Sequence, residues 1–208
     1  MSANDLPEMP EMKNVPLRCI ILKISGCRVI PVSDKDPKDS DLMKHLTEAA
    51  RAAGRKMLDT PIVSKRMNEV GNKVEPYVKE AIDGNRHLRL MNMGGSGYPD
   101  ILFEDSHGRP SYLECKTLSE KSIDSPFRAF YLSPSKKFKI ALDARHILLS
   151  YVMREIETGQ YVPAEFRIID IANLRCQLKY EWNCSNRELY GEELRPFAQG
   201  RFSLKKRG

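Results

Sequence analysis

Two short runs alternate apolar with polar residues, PDILFED (99–105) and SYLECK (111–116). They flank the turn-rich stretch Ser106-His107-Gly108-Arg109-Pro110 and predict a β-hairpin with a loop of several residues. Side chains on a strand point alternately to opposite faces. Ile101, Phe103, Leu113 and Cys115 therefore make an apolar face for a core, and the second face carries Asp100, Glu114 and Lys116. Pro99 can open the first strand because an initial residue need not donate to the ladder.

The pattern predicts further elements on either side. Leu17–Ile24 (LRCIILKI) is rich in branched residues and reads as a strand, with Val29–Val32 extending the sheet. Leu42, Leu46, Ala49, Ala53 and Met57 keep helical spacing, so a helix is expected from Leu42 to about Leu58, capped by Ser40 or Asp41. Pro61 opens a second helical stretch, whose stripe is Val63, Met67, Val70, Val74, Val78 and Ile82 and whose stop is Gly84; Pro76 should kink or break it after Glu75. His87–Met93 reads as a strand, and the glycine-rich GGSG (94–97) leads from it to Tyr98-Pro99-Asp100. Beyond the hairpin, FRAFYL (127–132) reads as a strand and SPSKKFKIALDAR (133–145) as a short basic helical pattern. HILLSYVM (146–153) is apolar on both faces, as a buried central strand is, and EFRIIDIANL (165–174) and LRCQLKYEWN (174–183) supply two more strands.

At 208 residues the chain is long enough for one domain with a substantial core, and a single domain spanning 1–208 is expected. Residues 1–15 and 199–208 read as a flexible tail and a basic tail. No apolar run approaches the roughly 18–20 residues of a membrane span, and the N-terminus lacks the basic start and apolar stretch of a secretory signal. The five cysteines are odd in number and show neither a CxxC nor a Cys/His cluster, so reduced thiols in a cytoplasm are expected rather than a zinc site or a disulfide framework. A net charge of +6 suits a polyanionic partner.

The charged face of the hairpin has a definite chemical use. Two carboxylates held close together repel, so one keeps a proton unless a cation sits between them. Mg²⁺ favours oxygen and is commonly held by one or two carboxylates together with waters and a substrate phosphate. Lys116, one strand repeat from Glu114, could orient an attacking water or help remove its proton, which makes a site for phosphodiester hydrolysis.

Pro99-Asp100, followed after thirteen residues by Glu114-Cys115-Lys116, resembles the signature of the PD-(D/E)xK nuclease superfamily. The segment GGSGYPDI is similar to the usual lead-in to the first acid of type II restriction endonucleases, and GNKVE (71–75) to their preceding helix. The order of the later segments extends the likeness over Met67–Tyr190. The resemblance implies an α/β fold with a mixed central β-sheet flanked by helices, restriction-endonuclease-like, and Mg²⁺-dependent cleavage of double-stranded DNA at a short sequence. It implies that Asp100 and Glu114 bind the metal together with the Cys115 carbonyl, that Lys116 serves the water, and that Glu75 is a supplementary acid. Cutting both strands of a two-fold-symmetric site implies a homodimer. A structure-specific repair or recombination nuclease, and an inert DNA- or protein-binding domain, are the alternatives.

Arg51, Arg55, Lys56, Lys65, Arg66 and Lys73 decorate the two helical stretches and are candidate DNA contacts, as is Ser96 in the glycine-rich turn. Met43, near the start of its helix, is either core filler or an apolar wedge between base steps. His146 reads as structural, because no nucleophile pattern accompanies it.

Overall fold

In the computed structural model the chain runs through β1 (Met12–Pro16), α1 (Leu17–Ser25), α2 (Pro37–Asp59), β2 (Ile62–Val63), α3 (Met67–Asp83), β3 (Leu88–Met91), β4 (Ile101–Asp105), β5 (Pro110–Ser119), β6 (Arg145–Glu157), β7 (Gln160–Asp170) and β8 (Arg175–Leu178). The residues described are 12–95, 97–122 and 138–178. Lys13–Cys176 form one compact unit; 1–12 with 177–208 form a second, almost wholly outside the described residues. The expected strand at 127–132, and the expected tails apart from Met12–Val15 (which falls in β1), also lie outside them.

The fold is α/β with a mixed sheet. Six strands lie in the order β2-β7-β6-β5-β4-β3, with β5 and β6 parallel and every other neighbouring pair antiparallel. β1 and β8 make a separate two-stranded sheet. The hairpin forms as its alternation predicts, pairing Ile101 with Leu113 and Phe103 with Ser111. β6 is the buried inner strand expected from HILLSYVM.

Each face of the sheet carries its own core. Ile101, Phe103, Leu113, Cys115, Ile147, Leu149, Tyr151 and Met153 pack under the stripes of α2 and α3, on which Leu42, Leu46, Ala49, Ala53, Met57, Val70, Val74, Val78 and Ile82 are all buried. The opposite face, with Leu102 and Tyr112, packs against Leu17 and Ile21 of α1. The helices thus lie on both sides. None among the described residues is long and apolar enough to cross a membrane.

Four local expectations are corrected. Leu17–Ile24 is helix rather than strand: Leu17 and Ile21, one turn apart, are the positions fully buried, while Arg18, Leu22 and Lys23 are exposed. Burial of that one-turn stripe on the sheet outweighs the strand preference of branched residues, and Gly26, left-handed at φ 74°, closes the helix on the Leu22 carbonyl. Val29 makes only an isolated bridge to Ala144. Helix α2 starts earlier than predicted, with Asp36 accepting from the Lys38 N–H and Pro37 in the first turn. The stretch from Pro61 divides into edge strand β2 and α3, and α3 continues through Pro76 without a break. Pro76 and Asn72 are both exposed, so the carbonyl that loses its helical donor is left to water.

The turn of the hairpin is anchored by charge. Arg109 bonds through Nε to Asp105 Oδ2 (2.8 Å), through Nη1 to Asp39 Oδ1 (3.0 Å) and through Nη2 to the Lys38 carbonyl (2.6 Å). Arg145, at the start of β6, also reaches Asp39 Oδ1 (2.6 Å). Burial alone would raise the pKa of Asp105, but the hydrogen bonds from Arg109 outweigh it and hold this carboxyl below its ordinary range.

Candidate active site

Strand alternation puts Glu114 and Lys116 on one face of β5, and Lys116 Nζ lies 2.6 Å from Glu114 Oε1. Asp100 immediately precedes β4. Its N–H donates to the Leu113 carbonyl (3.2 Å), and its Oδ2 accepts from the Cys115 N–H (2.8 Å). That crossing of the hairpin holds Asp100 beside Glu114, as the sequence spacing predicts. Glu114 is only 4% exposed, and its Oε2 is buried without a hydrogen-bond partner. Burial pushes its pKa up to about 7; Lys116 opposes the shift and the neighbouring Asp100 charge adds to it.

Glu75 projects from α3 and pairs with Lys79, one turn on, at 2.6 Å. The Cys115 thiol is pushed well up, first by burial and then by the charges of Asp100, Glu75 and Glu114, so three carboxylates surround it. They do not converge on one point: among the described residues no group of three His, Cys, Asp or Glu side chains is placed to hold a metal ion together. The two carboxylates Asp100 and Glu114 do fit a hard cation, since both offer oxygen and the orphaned Glu114 Oε2 lacks any other partner. An open groove of about 420 Å³ passes Asp100 and is lined also by Lys79, Asn92 and Met93. Lys79 was missed from sequence, although its i+4 spacing from Glu75 was there to be read.

The lead-in to Asp100 is anchored below. The Tyr98 hydroxyl lies 2.6 Å from His146 Nδ1, on a ring packed against Tyr112 with centroids 4.9 Å apart. Burial lowers the His146 pKa to about 4 and raises that of Tyr98, so a neutral phenol and a neutral imidazole share this hydrogen bond. His146 is wholly buried, between Tyr98 and Tyr112.

The other candidates are scattered. Arg51 and Arg55 are exposed on α2 and line a separate groove with Tyr151, Pro163 and Phe166. Lys56 pairs with Glu80, and Lys73 donates to the Val63 carbonyl. Lys65 and Arg66 are exposed just before α3, and Met43 is half-buried against the core under α2. Ser96 lies outside the described residues.

Residues 10–193 match the model of the type II restriction enzyme MjaV family. The chain belongs to that family and is a type II restriction enzyme, a site-specific deoxyribonuclease. Type II restriction enzyme MjaV of Methanocaldococcus jannaschii is 34% identical to it over 203 residues, covering 88% of each chain. Two solved structures align more distantly. Tetrameric restriction endonuclease SfiI bound to cognate DNA is 12% identical over 67% of each chain, with a TM-score of 0.42. Restriction endonuclease BglI bound to its DNA recognition sequence is 10% identical over 65% of this chain and 68% of its own, with a TM-score of 0.36.

Proposed function

We propose that this enzyme hydrolyses phosphodiester bonds of double-stranded DNA at a short specific sequence with Mg²⁺, acting as a homodimer in the cytoplasm. Asp100 and Glu114 hold the ion with the Cys115 carbonyl, Lys116 serves the attacking water, and Glu75 supports the arrangement through Lys79. The observation that carries this reading is the buried, unpartnered Oε2 of Glu114 beside Asp100. Such an oxygen costs stability unless something positive meets it.

The chemistry is displacement at phosphorus: a water oxygen bonds to the phosphorus and gives up a proton, and a P–O ester bond breaks with its electron pair leaving on the sugar oxygen, which takes up a proton to become a hydroxyl. A bound divalent cation neutralises the carboxylate pair, lowers the pKa of water and offsets charge building on the phosphate. Lys116 binds one oxygen of Glu114 and has further N–H donors with which to hold the water or a phosphate oxygen. A duplex site with two-fold symmetry calls for two copies of this arrangement, one for each strand.

The test is incubation of a long duplex with the full-length protein and Mg²⁺. Discrete fragments are expected, and Asp100→Ala, Glu114→Ala and Lys116→Ala should each lower the rate by at least ~100-fold while DNA binding in Ca²⁺ is kept. Nicks only at branched or damaged DNA would make it a repair nuclease instead. Full activity in the Asp100 or Glu114 variant would sink the residue assignment.

A further inference from the structure

The turn that delivers the chain to Asp100 is tied from a second side. Lys139 Nζ donates to the Gly97 carbonyl at 2.6 Å and to the Pro99 carbonyl at 2.8 Å, the two carbonyls flanking Tyr98. Its stem runs beside Gly95, where an added Cβ would stand 3.8 Å from Lys139 Cε. Gly95 and Gly97 have φ of 91° and 85°, a region that glycine enters freely, so this turn has little stiffness of its own. An ammonium has three donors and no acceptor, and its bonds to carbonyls are roughly twice as strong as neutral ones. The Tyr98 side chain is held below by His146 while its flanking backbone is held by Lys139. Asp100 is two residues on from Tyr98, and its carboxylate accepts from the Cys115 N–H.

We propose that Lys139 is a positioning residue for the reaction: by gathering the Gly97 and Pro99 carbonyls it fixes where Asp100 presents its carboxylate. This rests on the reading of Asp100 as a ligand of the catalytic ion. Lys139 lies in neither strand of the hairpin, and its two bonds converge on the residues directly before Asp100 rather than on the sheet. Displacing a catalytic group by about 1 Å can cost on the order of 100-fold in rate, so a loosened turn is felt in the chemistry before it is felt in the fold.

Lys139→Met keeps the stem and removes the ammonium; Lys139→Arg keeps the charge. In the full-length protein without metal, hydrogen exchange of the Cys115 amide reports whether Asp100 is in place. Lys139→Met should speed that exchange several-fold, raise the Mg²⁺ concentration for half-maximal cleavage about tenfold and lower the maximal rate ~10–100-fold. DNA affinity in Ca²⁺ and its salt dependence should stay as in the wild type, and Lys139→Arg should recover part of the rate. Unchanged Cys115 exchange and Mg²⁺ dependence would overturn the proposal. So would a defect confined to DNA affinity with the salt slope flattened by about one unit, which marks a phosphate contact. Should Lys139→Met fail to fold, Lys139→Arg decides alone, through the same shift in Mg²⁺ dependence at smaller size or its absence. Asp100→Ala separates the two levels: if it cleaves normally the ligand reading fails, whereas Cys115 exchange in the Lys139 variants still measures the clamp.

Discussion

Glu114→Gln should make the metal-free protein more stable at neutral pH, although by the proposed role of Glu114 it should abolish cleavage. The wild-type carboxyl titrates near 7 when folded against an ordinary value of 4.5. Between those limits the folded state keeps a proton that the unfolded chain has released, so stability falls as pH rises from about 4.5 to 7 and stays low above. The ceiling is (7 − 4.5) × 1.36, or about 3 kcal/mol. Little screening discount applies, since the side chain is 4% exposed. Glutamine keeps the shape without the titration, and the pair of the charged carboxylate with Lys116 is already contained in the folded pKa. The variant should therefore gain about 3 kcal/mol over wild type at pH 8 and nothing at pH 4.5. Urea unfolding in EDTA at several pH values, read as a midpoint shift at constant slope, measures the difference curve. Saturating Mg²⁺ should then stabilise the wild type, by ~2.7 kcal/mol at a hundred times its Kd, and leave the variant nearly unmoved. Parallel pH profiles for the two proteins would refute the reasoning, because they would mean that Glu114 does not meet Asp100 in a buried site.

Two other perturbations test the surroundings. Arg109→Met leaves Asp105 and Asp39 buried with a partner missing and should cost ~3–5 kcal/mol in thermal or chemical unfolding; a loss under 1 kcal/mol would show that the cluster is solvated. Neutralising whichever of Arg51, Arg55, Lys56, Lys65, Arg66 and Lys73 touch phosphate should weaken binding to all sequences alike, and flatten the salt slope by about one unit per contact. Unchanged slopes for all six would put the DNA on another surface.

The hairpin was legible because its information is local. A period of two, a turn and a proline fix which side chains share a face, and Asp100, Glu114 and Lys116 follow from that. Helix α1 was not, since a nine-residue element with a one-turn stripe looks the same to a count of branched residues whether it coils or extends. What decided it was the sheet face waiting for Leu17 and Ile21. Arg109 read as a turn residue, yet its partners Asp39 and Lys38 are 70 and 71 positions away. Lys139 meets its carbonyls from 40 and 42 positions away. Such ion contacts leave no periodic trace.

The parallel pairing of β5 with β6 sets an order of events during synthesis. Glu114 and Lys116 lie opposite Leu148 and Ser150 of β6, so the strand that bears them is flanked on both sides only after residues beyond 150 have been made. Until then β5 has one partner, β4, and an open row of backbone donors and acceptors. A parallel strand also needs a long crossover to close, which is slow compared with forming a hairpin. A ribosome-bound chain that already contains the whole charged hairpin therefore still lacks the framework that holds it. For a site-specific deoxyribonuclease, that delay withholds a competent nuclease until most of the polypeptide has emerged.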